Sequence, residues 1–139
     1  RAWPRDPVGI LEAMIESAPS SRDPRDLAEA ARRVVVPALL RRRGVEMLEP
    51  LLLDPALERT LGEAMDPALA VRIRDAALAY AAGTPPGRAA VVCMAAVRPL
   101  LADFLLRSGV RLPVYSYAEV PAETRIVPAS ILKEESFAA

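Results

Sequence analysis

Between residues 89 and 120 the spacing of apolar positions changes twice. The run AAVVCM at 89–94 is continuously apolar and bounded by Pro and Gly, the signature of a short buried strand. From Val97 the spacing becomes helical: Val97, Leu100, Leu101, Phe104 and Leu105 share one face, while Arg98, Asp103 and Arg107 fall away from it. Pro99 stands near the helix start, where its missing N–H costs little, and Gly109 stands where a left-handed cap ends a helix. Residues 113–120 then return to β-forming side chains. A strand, a helix and a second strand in this order predict a parallel pair, because the crossover has to accommodate the helix.

The rest of the chain is punctuated by four Asp-Pro pairs, beginning at Asp6, Asp23, Asp54 and Asp66. In each, the carboxylate can accept from first-turn N–H groups, and Pro occupies the first helical position. Helices are therefore predicted over 7–17 (apolar face Ile10, Leu11, Met14, Ile15), from Pro24 to about Arg42, over 55–65 and over 67–82. In the second, Leu27, Ala31, Val34, Val35, Ala38 and Leu39 recur at helical spacing, and Pro37 predicts a kink or break near Val36. Leu57, Leu61 and Met65 should face inward from the third helix, and Leu69, Ile73, Ala77 and Tyr80 from the fourth. Gly44 marks a boundary, and 83–87 reads as a loop. Residues 45–53 form a candidate strand that Pro50 would confine to an edge or a bulge, and 125–132 a last strand that Pro128 directs to an edge. The expected fold is α+β (α/β). A helical segment over 1–43 precedes a small α/β subdomain over 44–132, with a three- or four-stranded sheet packed by helices. A frayed tail, 133–139, follows.

Composition narrows the function. The 139 residues carry 18 basic and 18 acidic side chains, so no global field favours nucleic acid. Histidine is absent, which removes the commonest general base and metal ligand together. The single Cys93 lies in an apolar strand and has no internal disulfide partner. No apolar run approaches the ~20 residues of a membrane span. No Walker or dinucleotide loop, no nucleophile elbow around Ser116 and no acidic pair to accompany Asp54 as a phospho-acceptor is present. No enzyme activity, cofactor or metal is expected.

Protein contact remains. Tyr115 and Tyr117, two apart in a predicted strand, share one face, which reads either as core or as a half-exposed contact surface. Arg98 and Arg107 are expected close together on the outer face of their helix. With Glu119 at a strand end, they are candidates for pairing or subunit contact, or for simple solvation. The Arg41-Arg42-Arg43 cluster suits a solvated helix C-terminus, or an acidic partner.

The run VVCMAAVRPLLADFLLRSGVRLPVYSYAEVP resembles the C-terminal signature of the flagellar and type III secretion export-gate proteins, the FlhA/InvA/LcrD (FHIPEP) family. Its matching parts are the apolar strand at 91–93, the RPLL helix start at 98–101, the Leu-rich stretch at 104–106 and the strand end at 115–119. Upstream, LLLDPALERTL at 51–61 resembles the opening of the family's last subdomain, and 10–33 the helical subdomain before it; the likeness runs to about Leu132. It implies a piece of the cytosolic part of an inner-membrane protein whose copies assemble into a nonameric ring. Such domains receive chaperone–substrate complexes and contact the ATPase stalk. The VRPLL helix start is closer to flagellar than to injectisome members. A catalytically silent α/β adaptor domain is the alternative from a different class.

Overall fold

The computed structural model describes residues 23–133. The helix expected over 7–17 and the tail from Glu134 lie outside the described residues. Within them, contacts divide the chain into two compact units: 23–46 with Ala118–Thr124, and 47–117 with 125–133.

The first unit is built on helix α1 (Pro24–Arg42). Asp23 caps it as its sequence requires, Oδ1 accepting from the Arg25 N–H at 2.9 Å. Of the kink or break expected near Val36, the break does not occur: the helix runs through Pro37. An internal Pro costs about 3 kcal/mol. Val36, Pro37 and Leu40 are all buried here, and at about 1.5–3 kcal/mol per large apolar side chain that burial offsets the loss. Gly44 ends the helix at φ +68°, in the left-handed region that favours glycine.

The second unit holds two parallel sheets. The larger has the order β4 (Val114–Ser116), β3 (Val91–Cys93), β2 (Leu51–Leu53), β6 (Ser130–Leu132). The smaller pairs β1 (Met47–Leu48) with β5 (Arg125–Ile126). Helices α2 (Pro55–Glu63) and α3 (Pro67–Gly83) connect β2 to β3, and α4 (Arg98–Arg107) connects β3 to β4. Every neighbouring pair in the larger sheet is parallel, including β3 with β4, the one pair for which the crossover length predicted it.

The single strand expected over 45–53 is two strands, and β2 is an inner one. Two residues, Glu49 and Pro50, stand opposite three, Val127, Pro128 and Ala129, between the registers Leu48↔Ile126 and Leu51↔Ser130. Of the two positions open to Pro50, the bulge is the one adopted. The prolines fall where no ladder bond is needed, and the Pro50 carbonyl still accepts from the Ala129 N–H at 3.1 Å. The last strand is likewise split at Pro128, and its second half, β6, takes the sheet edge.

The core gathers Leu51 and Leu53, Val91 and Cys93, and Val114 from the sheet. Leu57 and Leu61, Ile73, Ala77 and Tyr80, and Leu101 and Leu105 come from the helices. One polar group is built into it: the Tyr80 hydroxyl donates to the Glu49 carbonyl and accepts from the Ala90 N–H at 3.0 Å. Tyr80 thus ties α3 to the chain entering β2 and β3. Tyr80→Phe keeps the ring but leaves that carbonyl and N–H unsatisfied. It should cost about 1–2 kcal/mol in urea unfolding without changing the far-ultraviolet circular dichroism.

Candidate functional site

The five candidate contact residues do not form one surface. Arg98 and Arg107 are nine positions apart, two and a half helical turns, so they project to opposite sides. Arg98 is buried, and its Nη1 donates to the Val114 carbonyl at 3.2 Å, tying the start of α4 to β4. Arg107 is exposed and pairs with Asp103 one turn earlier, Nε to Oδ2 at 3.2 Å. The outer-face neighbourhood expected for the two arginines is therefore corrected: only Arg107 faces outward.

The tyrosines also separate. Strand β4 stops at Ser116, and Tyr117–Glu119 is a 3-10 turn, so Tyr115 and Tyr117 do not share a strand face. Tyr115 is half-buried, and Tyr117 is 49% exposed. Burial first, and the nearby Glu58 carboxylate next, push the Tyr117 hydroxyl above its ordinary value of 10.0.

Glu119 is buried. Its carboxylate takes a two-pronged bond from Arg32 of α1, Nε to Oε2 at 2.9 Å and Nη2 to Oε1 at 3.1 Å. Further along the same segment, Glu123 takes an equivalent fork from Arg41, at 2.8 and 3.2 Å. The Thr124 hydroxyl donates to the Val45 carbonyl at 3.2 Å. Ala118–Thr124 is thus a strap fastened along α1. Of the Arg41-Arg42-Arg43 cluster, Arg41 has its acidic partner within the chain.

Glu58 was not singled out from the sequence. It lies in the first turn of α2, 5% exposed, and its Oε2 accepts from the Met94 N–H at 2.6 Å. Its place beside the core position Leu57 was the available signal. Asp66 caps α3, accepting from the Leu69 N–H at 2.8 Å, whereas the Asp54 side chain makes no cap bond. The Asp54 carbonyl instead accepts from the Glu58 N–H at 3.0 Å. Exposed apolar side chains at the surface of this unit include Met94 at the C-terminal end of the sheet, Val71 and Leu78 on α3, and Leu100 and Leu106 on α4.

The two forks should differ in worth. The Glu119 side chain is 1% exposed against 62% for Glu123. Arg32→Met removes the cation from a buried carboxylate and should cost about 3 kcal/mol, whereas Arg41→Met, at a fork open to solvent and its ions, should cost far less. Chemical denaturation of both variants checks the contrast. In ultraviolet titration, Tyr117 should ionise above the ordinary tyrosine value, and so should Tyr80, where burial is the main cause. For both, the folded state holds its proton after the unfolded state has lost it. Stability should therefore fall as pH rises through the ordinary value of about 10, and Tyr117→Phe should flatten that fall.

No protein-family model and no curated protein matches the sequence. Solved structures do match. The nonameric SctV-C of EPEC aligns over 92% of this chain and 43% of its own, at 20% identity and a TM-score of 0.75. CdsV of Chlamydia pneumoniae aligns over 89% and 38%, at 24% identity and 0.74. MxiA of Shigella flexneri aligns over 88% and 44%, at 14% identity and 0.72. The chain spans about two fifths of the length of these solved chains. No helix among the described residues is long and apolar enough to cross a membrane. The chain has the fold of the C-terminal domains of the FlhA/InvA/LcrD family, the group its sequence resembles.

Proposed function

We propose that this chain is a C-terminal cytoplasmic piece of a flagellar-type protein export gate. It works by presenting shaped surfaces to other proteins, with no catalytic step of its own. The observation that carries this reading is the fold shared over 92% of the chain with SctV-C, together with segments that resemble the family in the family's own order. The full protein sits at the inner membrane, assembles into a ring, and receives chaperone–substrate complexes and the ATPase stalk. SctV-C was solved as a nonamer and CdsV in complex with CdsO, which supports both assembly and docking here.

On this reading, residues 1–43 complete the helical subdomain and 44–132 make up the last, α/β subdomain. Arg107, Tyr115 and Tyr117 stay as candidate contact residues, whereas Arg98 and Glu119 act by holding the surface in shape. A second reading, the corresponding gate of a virulence type III system, shares the fold. The genes beside this one separate the two: flagellar genes support the first reading, injectisome genes the second.

The direct test immobilises the intact cytosolic region and asks whether the export chaperones and the stalk protein encoded by the same genome are retained. Retention of the stalk protein or a loaded chaperone is the expected result. No retention of any of them overturns the proposal.

A further inference from the structure

The C-terminal edge of the parallel sheet collects residues that the sequence keeps far apart. The register Leu52↔Val92 places Asp54 level with Met94, and Cys93↔Ser116 places Met94 level with Tyr117. Asp54, Met94 and Tyr117 therefore leave three adjacent strands side by side. Met94 and Tyr117 are 52% and 49% exposed. Under them lies Glu58, held by the Met94 N–H and within electrostatic reach of Tyr117. Among the described residues, neither Glu58 nor Asp54 is ion-paired.

We propose that this corner, Asp54, Met94 and Tyr117 above the Glu58 carboxylate, is a docking point for an arginine side chain carried by a partner protein. Carboxylates this deeply buried ordinarily have a cation beside them. Glu58 has one backbone N–H, in a corner whose rim is open. The cation nearest by register, Lys133, leaves β6 on the far side of Asp54, two strands from Met94, and pairs with neither carboxylate.

Charge complementarity names a cation, and the neighbours narrow it to arginine. A planar guanidinium can lie on the Tyr117 ring and still direct N–H groups to a carboxylate, whereas an ammonium does one or the other less well. The Met94 thioether supplies polarizable surface that fits around an inserted chain. A half-exposed aromatic and a methionine around one acidic point also match the usual anchor of a protein interface more than a small-molecule cleft. The ligand chemistry stands on this geometry; its biological setting rests on the docking role proposed above.

The test uses the 139-residue chain and two alanine-based helical peptides, one with a single central arginine and one with citrulline there, which keeps the shape and removes the charge. The Met ε-methyl resonances report binding. The arginine peptide should shift the Met94 methyl, leave Met47 and Met65 in place, and bind about tenfold more tightly than the citrulline peptide. Asp54→Asn and Tyr117→Leu, both at the rim, should each weaken binding severalfold, and added salt should weaken it further. Equal binding of the two peptides, or a Met94 methyl that does not move, overturns the proposal. Arginine-selective binding at Met94 without retention of the stalk protein or chaperones would uphold this site and sink the export-gate reading. The reverse pair of results would do the opposite.

Discussion

Strand β3, three residues long and buried at every one, sets the terms for the unit around it. Val91, Val92 and Cys93 are flanked on both edges by parallel partners, β2 and β4, and covered on both faces. Parallel strands require a crossover for each pairing, and the crossover helices α2, α3 and α4 all pack against the face that carries Val91 and Cys93. A ladder this short holds few hydrogen bonds, each worth about 0.5–1.5 kcal/mol net. The apolar faces of those helices, with Leu57, Leu61, Ile73, Leu101 and Leu105 fully buried, contribute more than the ladder does.

Short strands also create a difficulty at their ends, where backbone groups leave the ladder while still beneath the helices. Three side chains meet it. The Tyr80 hydroxyl serves the Glu49 carbonyl and the Ala90 N–H, the Arg98 guanidinium serves the Val114 carbonyl, and the Glu58 carboxylate serves the Met94 N–H. Each reaches from a helix to the edge of a strand that helix covers or leads to. Burying these polar heads costs less because each has a backbone partner, and that partner would otherwise be the unsatisfied group. The same logic explains why two of the most prominent charges in the sequence, Arg98 and Glu119, turn inward: each fastens one stretch of backbone to another and is not aimed at solvent.

Much of the fold was legible because it follows local rules. Apolar runs marked β3 and β4, helical spacing marked all four described helices, and Gly109 adopts the left-handed φ of +75° that its place after α4 required. All but one of the errors share an origin, which is that side-chain environment depends on partners distant in sequence. Pro37 predicted a kink or break because its cost is local, while the burial that keeps the helix continuous is tertiary. Pro50 marked a bulge correctly, but whether the strand beyond it was inner or edge depended on β6, about eighty residues later. Tyr117 belonged to a strand by propensity, but β4 ends at Ser116 and Tyr117 opens the 3-10 turn that carries Glu119 to its distant partner Arg32. The Arg98 and Arg107 pairing failed on arithmetic alone, since nine residues is half a turn out of phase. In the candidate site, the exposed residues were partly legible, Tyr117 among them; Glu58 was not, because an acidic residue in a first helical turn ordinarily means only a favourable dipole.

The strap from Ala118 to Thr124 has a consequence for how the chain is assembled. Arg32 and Glu119 are 87 positions apart, and Arg41 and Glu123 are 82 apart, so the helical unit is closed by residues made long after α1. Contacts at this separation have to recover the entropy of closing a long loop before they stabilise anything, which places them late in folding. The intervening loop is not slack, because residues 47–117 fold into a sheet unit whose last strand, β4, ends one residue before the 3-10 turn that carries Glu119. Once β4 is in register with β3, the strap begins at a fixed point, and the effective length of the loop it must close falls sharply. A sheet that forms first therefore lowers the entropic cost of the Arg32–Glu119 fork.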